Sequence, residues 1–99
     1  MLLPDNVRQQ LPPLYAQEKV KDPIVYAKFF FPGSHLTWYA TEFDGEDEFF
    51  GWVYGDFPEM GYFSLSEMES VQVAGLRTQC DQSFQPTRLS IVKASHGEK

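Results

Sequence analysis

The stretch from Trp38 to Leu65 constrains this chain most. It reads Trp-Tyr-Ala-Thr-Glu-Phe-Asp-Gly-Glu-Asp-Glu-Phe-Phe-Gly-Trp-Val-Tyr-Gly-Asp-Phe-Pro-Glu-Met-Gly-Tyr-Phe-Ser-Leu. Runs rich in aromatic and β-branched residues, separated by Gly, Asp and Pro, predict strands joined by turns. Leu36 to Phe43 and Phe49 to Tyr54 form two strands. Asp44 to Glu48 is the turn between them, with Gly45 supplying the permissive backbone. After Gly55 to Glu59, a short strand follows at Met60 to Phe63. Upstream, Ile24 to Phe31 is another strand, ended by Pro32-Gly33. Of the 16 aromatic residues, 14 lie between Tyr26 and Phe63, so the middle of the chain supplies most of the core.

The flanks brace this sheet. Leu3, Val7 and Leu11 sit four apart, which predicts a turn or two of helix over residues 4–10 before Pro12-Pro13 stops it. Ala16 to Pro23 is a polar loop. Ser64-Leu65-Ser66-Glu67 has the capping-box form and starts a helix through Val71. Gln72 to Phe84 reads as irregular, with a short strand near Val73. Thr87 is the expected N-cap of a last helix carrying Leu89, Ile91, Val92 and Ala94. Strands come first and helices after them, which defines an α+β fold: an antiparallel sheet of about four strands with short helices. Ninety-nine residues make a single domain, with its core over about 11–94 and a flexible tail at 95–99.

The net charge of −6 is unevenly spread: zero over residues 1–22, −8 over 23–71, and +2 over 72–99. An acidic middle repels phosphate and disfavours nucleic acid as a partner. The single cysteine, Cys80, cannot form an internal disulfide, which suits a reducing compartment. Met1-Leu2-Leu3-Pro4-Asp5 lacks the form of a signal peptide, and no run reaches the length of a membrane span. A cytoplasmic protein, monomer or homodimer, is expected.

Asp44, Glu46, Asp47 and Glu48 place four carboxylates in one turn. Their spacing is not that of a calcium loop, so a solvated hairpin tip is preferred to a Ca²⁺ or Mg²⁺ site. His35 and His96 show no metal-ligand spacing with Cys80 or with each other. There is no nucleophile elbow, phosphate loop or dinucleotide fingerprint, and no metal or cofactor is expected. An enzyme reading would need Cys80, Asp81 or His35 brought together by the fold.

If Phe43 pairs opposite Phe49, strand alternation places Tyr39, Phe43, Phe49 and Val53 on one face. Trp38, Phe50, Trp52 and Tyr54 then share the other, and a slip of one residue would change these assignments. Both faces are apolar, and one left uncovered would be a recognition surface. The candidate binding residues are therefore Trp38, Glu42, Asp44, Glu46, Asp47, Glu48, Phe50, Trp52 and Tyr54.

Thr37-Trp38-Tyr39-Ala40-Thr41-Glu42-Phe43-Asp44-Gly45-Glu46-Asp47, then Phe50-Gly51, then Gly61-Tyr62-Phe63-Ser64-Leu65 with Glu67, resemble the bacterial domain-of-unknown-function 2958 family. Leu11-Pro12-Pro13-Leu14-Tyr15 and Phe84-Gln85-Pro86 extend the resemblance over about residues 11–92. It implies a small intracellular protein of the kind carried on plasmids, integrative elements and phages, and it brings no catalytic residue. One departure stands out. Gln79 and Cys80 occupy positions where the family pattern usually has a Glu-Arg pair before the aspartate matching Asp81.

Three expectations of different class follow, the third being the enzyme reading through Cys80, Asp81 or His35 given above. The first is a non-enzymatic accessory or regulatory protein that binds a protein partner through its acidic and aromatic middle. The second is nucleic-acid contact by stacking on Trp38, Trp52 and Tyr54, with Arg77, Arg88 and Lys93 as the basic patch.

Overall fold

The computed structural model describes residues 2–97. In chain order the elements are α1 (Asp5–Arg8), β1 (Ile24–Val25), β2 (Ala27–Phe30), β3 (Thr37–Phe43), β4 (Glu48–Tyr54) and β5 (Glu59–Ser64). They continue with α2 (Leu65–Ser70), β6 (Gln72–Val73), β7 (Leu76–Arg77), β8 (Gln79–Cys80), β9 (Thr87–Arg88) and α3 (Leu89–Ser95). The main sheet is antiparallel with five strands in the order β5-β4-β3-β2-β8. The fold is thus α+β, with more sheet than expected. The fifth strand is β8, two residues inside the segment read as irregular. Its backbone pairs with Phe29 and Phe30 of β2.

The predicted strand Ile24 to Phe31 is two strands. Val25 packs in one core layer and Ala27 in the other, so the chain turns over at Tyr26. β1 then pairs with β9, and β2 with β3. A matching irregularity lies in β3. Phe43 does face Phe49, but Thr41 has no partner, and beyond it Ala40 faces Gly51, Tyr39 faces Trp52 and Trp38 faces Val53. This is a β-bulge, and one extra residue reverses which face every later side chain takes. The face assignments made from strict alternation are corrected accordingly. Trp38 joins Phe43, Phe49 and Val53, while Tyr39 joins Trp52 and Tyr54.

Gly51 permits the bulge. A Cβ there would lie 1.8 Å from the Tyr39 carbonyl oxygen, closer than any side chain allows. The Thr41 hydroxyl donates to the Phe50 carbonyl at 3.0 Å. Gln17 completes the repair. Its side-chain amide donates to the Ile24 and Thr41 carbonyls at 2.9 and 2.8 Å and accepts from the Ile24 N–H at 2.7 Å. A glutamine amide has the donors and acceptor of a peptide group, so it replaces ladder bonds that the irregular strands lack.

Both faces of the sheet are covered by the flanks. On the first, Leu3, Val7 of α1 and Met68 of α2 pack against Phe29, Trp38, Phe43, Phe49 and Phe63. The phenylalanine rings stack around Phe49, with centroids 4.3 Å away at Phe43 and 5.3 Å at Phe63. On the second, Leu89 and Val92 of α3 pack with Val25, Tyr39 and Trp52. Ser64 accepts from the Glu67 N–H at 3.1 Å and caps α2 as its sequence signature indicates. Thr87 does not cap α3. Its hydroxyl donates to the Gln85 carbonyl. The cap comes from Asp22, whose carboxylate accepts the Ser90 N–H at 2.9 Å and the Ser90 hydroxyl at 2.6 Å.

α3 runs through Ser95, and His96 just beyond it packs on the sheet. Its ring stacks on Tyr54 at 4.0 Å, and its Nε2 lies 2.6 Å from the Tyr39 hydroxyl. Glu98 and Lys99, the rest of the expected tail, lie outside the described residues.

Candidate functional site

The bulge at Thr41 turns the Glu42 side chain beneath the loop that leads from Pro13 to Val20. Glu42 is only 4% exposed. Its two carboxylate oxygens accept the backbone N–H groups of Tyr15 at 2.8 Å and Gln17 at 2.9 Å. Such charge-assisted bonds are stronger than neutral ones. They hold Tyr15 at φ +72°, a left-handed conformation that a bulky residue adopts only when its surroundings enforce it.

The enforced loop stands over the sheet and encloses a groove of about 380 Å³. Tyr15, Gln17 and Val20 form one wall, and Phe50, Met60 and Tyr62 form the opposite one. Exposure decides its character: Tyr15 is 61% exposed, Tyr62 52%, Val20 48% and Met60 38%. These large apolar side chains would be buried in an ordinary core, yet four of them meet at one groove. Phe50 supports the floor, meeting the Tyr62 ring edge-on at 4.9 Å. The Tyr62 hydroxyl is pushed up in pKa, first by the neighbouring Tyr15 hydroxyl, then by burial, and then by the charges around it, Glu42 and Glu18 included. Two other hollows of about 440 Å³ each adjoin β8, and neither is lined by an exposed large apolar residue.

Of the residues proposed from sequence, Glu42 and Phe50 line this groove. Trp38 and Trp52 are buried, on opposite faces of the sheet. Trp52 stacks on Tyr39 at 5.8 Å, and the Lys93 ammonium sits 5.8 Å from its ring. Tyr54 lies under His96. In the acidic turn, Asp44 Oδ1 accepts the N–H groups of Glu46, Asp47 and Glu48 at 2.8, 2.8 and 3.0 Å. Those bonds hold its carboxyl below the usual carboxylate range. Asp47 accepts the Ser66 N–H and hydroxyl, both at 2.8 Å, and so steadies the first turn of α2. Glu46 and Glu48 are exposed.

Sequence reasoning missed Tyr15, Met60 and Tyr62. The period-2 spacing of Met60 and Tyr62 was a usable signal, since it places both on one face of a strand. Nothing local marked Tyr15.

The remaining chemical candidates are separate. Burial pushes the Cys80 thiol up to about 11, so it stays protonated and weakly nucleophilic near neutrality. His35 Nε2 contacts Asp56 at 2.9 Å in an exposed loop pair. Asp81 pairs with Lys28 at 3.8 Å and accepts from Ser83. Among the described residues, no three His, Cys, Asp or Glu side chains are grouped to hold a metal ion. Nor is any helix among them long and apolar enough to cross a membrane.

The molecule is a small α+β domain dominated by one five-stranded antiparallel sheet, with a groove of mixed apolar and charged lining beside one sheet edge. It belongs to the family described as protein of unknown function (DUF2958), whose family model matches residues 2–96 of the 99-residue chain. No curated protein and no solved structure matches it.

Proposed function

We propose that this protein is a non-enzymatic accessory or regulatory module of a bacterial mobile element, and that it engages a protein partner at the groove between the 13–20 loop and β5. One observation carries the reading: Tyr15, Val20, Met60 and Tyr62 stand exposed around a single concavity. Tyrosine and methionine present large, adaptable contact area, and both are enriched at protein interfaces. The mobile-element setting rests on the resemblance to the family pattern.

The burial of Trp38 and Trp52 moves the binding surface away from the tryptophans and towards Tyr15 and Tyr62. It also takes away the two tryptophans on which the nucleic-acid reading relied. Immobilised wild-type protein should retain a specific partner from host lysate. The Tyr15→Ser/Tyr62→Ser double variant should lose it while keeping its far-ultraviolet circular dichroism. Equal retention of the same proteins by a folded double variant would sink the reading.

A further inference from the structure

We propose that the groove receives its partner as an extended segment added to β5 as a sixth strand, with apolar and basic residues alternating along it. This rests on the reading of the groove as the partner site and says how the partner is held. The main sheet has two edges, and they are managed differently. β8 ends one side with only two residues, Gln79 and Cys80. β5 ends the other with six, Glu59–Ser64, and contains no proline and no lysine. Among the described residues no strand pairs with its outer side. Natural edge strands are commonly blunted by shortness, lysine, proline or a cover. β5 carries none of the first three, and its alternate N–H and C=O groups are available to another backbone.

The side chains on β5 say what sequence would fit. Met60 and Tyr62 share the face that opens into the groove. An added strand would send alternate side chains into that same groove, where Tyr15 and Phe50 offer apolar contact. Gly61, at the centre of β5, has nothing within 4 Å of where its Cβ would be, so the other face of the strand is open there. That face carries Glu59, and α2, which packs on it, exposes Glu67. From Phe29 to Leu76 the chain contains no Lys or Arg. The alternate side chains that do not enter the groove therefore meet Glu59 and Glu67, on elements that carry no Lys or Arg of their own, which favours Lys or Arg in the partner.

The test uses a synthetic nonapeptide alternating Lys with Val and Phe, added to ¹⁵N-labelled full-length protein. Two analogues carry N-methyl groups on its odd or its even residues, and a third replaces Lys by Glu. The Lys peptide should bind and slow amide exchange within residues 59–64 by at least about tenfold. One N-methyl analogue should lose at least about tenfold in affinity, because its methyl groups occupy the edge that faces β5. The Glu analogue should bind more weakly than the Lys peptide. Equal binding by both N-methyl analogues, or slowed amides elsewhere than β5, would overturn strand addition. So would no binding of the Lys peptide at millimolar concentration, or equal binding by the Glu analogue. Each of these failures is distinct from that of the groove reading, which falls only if the folded Tyr15→Ser/Tyr62→Ser variant still retains the partner.

Discussion

The Glu42 carboxylate accepts the Tyr15 N–H at 2.8 Å and so fixes a left-handed tyrosine at the rim of the groove. A residue 27 positions away in sequence thus determines where the most exposed side chain of the binding wall stands. Removing the carboxylate leaves the Tyr15 and Gln17 N–H groups without their acceptor. Glu42→Ala should destabilise the fold by about 2–4 kcal/mol in urea titration. Tyr15→Gly, which suits positive φ, should leave stability unchanged or raise it by up to about 1 kcal/mol, while weakening partner binding. A Glu42→Ala loss below about 0.5 kcal/mol would show that the loop is held by other means.

Gly51 and Gly61 face each other across β4 and β5, yet they should respond oppositely to alanine. Gly51→Ala drives a methyl group into the Tyr39 carbonyl and should cost at least about 3 kcal/mol or abolish folding. Gly61→Ala meets open space and should fall within about 1 kcal/mol of wild type. Thermal denaturation of the pair distinguishes these outcomes, and equal melting temperatures would remove Gly51 as the residue that permits the bulge.

The acidic turn divides into structural and solvating carboxylates. Asp47→Ala removes the acceptor at the start of α2 and should cost about 1 kcal/mol. Glu46→Gln should change stability by no more than about 0.5 kcal/mol. Added Ca²⁺ or Mg²⁺ should leave the melting temperature of the wild type where it is, since an ion bound to the native state would raise it by mass action. A metal-dependent rise that Glu46→Gln abolishes would instead make the turn a cation site.

Stability should form a plateau bounded on both sides by pH. Asp22, Asp44 and Asp81 are held below the usual carboxylate range, Asp22 and Asp81 chiefly by serine hydroxyls and Asp44 by three backbone N–H groups. With the folded pKa below the unfolded one, the unfolded chain takes up protons first. Their contribution is therefore present above about pH 4 and lost as pH falls through the folded values. Burial pushes the Cys80 thiol from 9.0 to about 11 and the Tyr39 hydroxyl from 10.0 to about 12. Here the unfolded chain releases protons first, so stability is full below about pH 9 and declines as pH rises towards those values. Urea midpoints across pH should show both limbs. Cys80→Ala should flatten the lower part of the alkaline limb and Tyr39→Phe the upper part. An alkaline limb identical in all three proteins would contradict the assignment.

What could be read from sequence was what neighbouring residues decide. The β3–β4 turn followed from Asp44-Gly45 and the cap of α2 from Ser64 and Glu67, and the pairing supposed for Phe43 and Phe49 is the one the sheet has. What could not be read was decided from afar. The bulge depends on an amide at Gln17 and on the absence of a side chain at Gly51, and alternation alone gives no sign of either. Glu42 and Phe50 were identified by their company in an acidic, aromatic hairpin. Tyr15 was not, because its place follows from a bond that its own neighbours in sequence do not form. Trp38 and Trp52 were named for their chemistry, and packing claimed both.

The cap that Asp22 gives to α3 spans 68 residues and has a temporal consequence. A ribosome emits the strands of the main sheet before Leu89 to His96 exist. Until that last segment arrives, Tyr39 and Trp52 lack the Leu89, Val92 and His96 cover they have in the finished fold. The nascent chain carries an apolar sheet face with no lid, a state prone to aggregation. Closure of the second layer therefore waits for the Leu89–Ser95 helix, and a chain that stops before Leu89 is destined for chaperones or proteolysis.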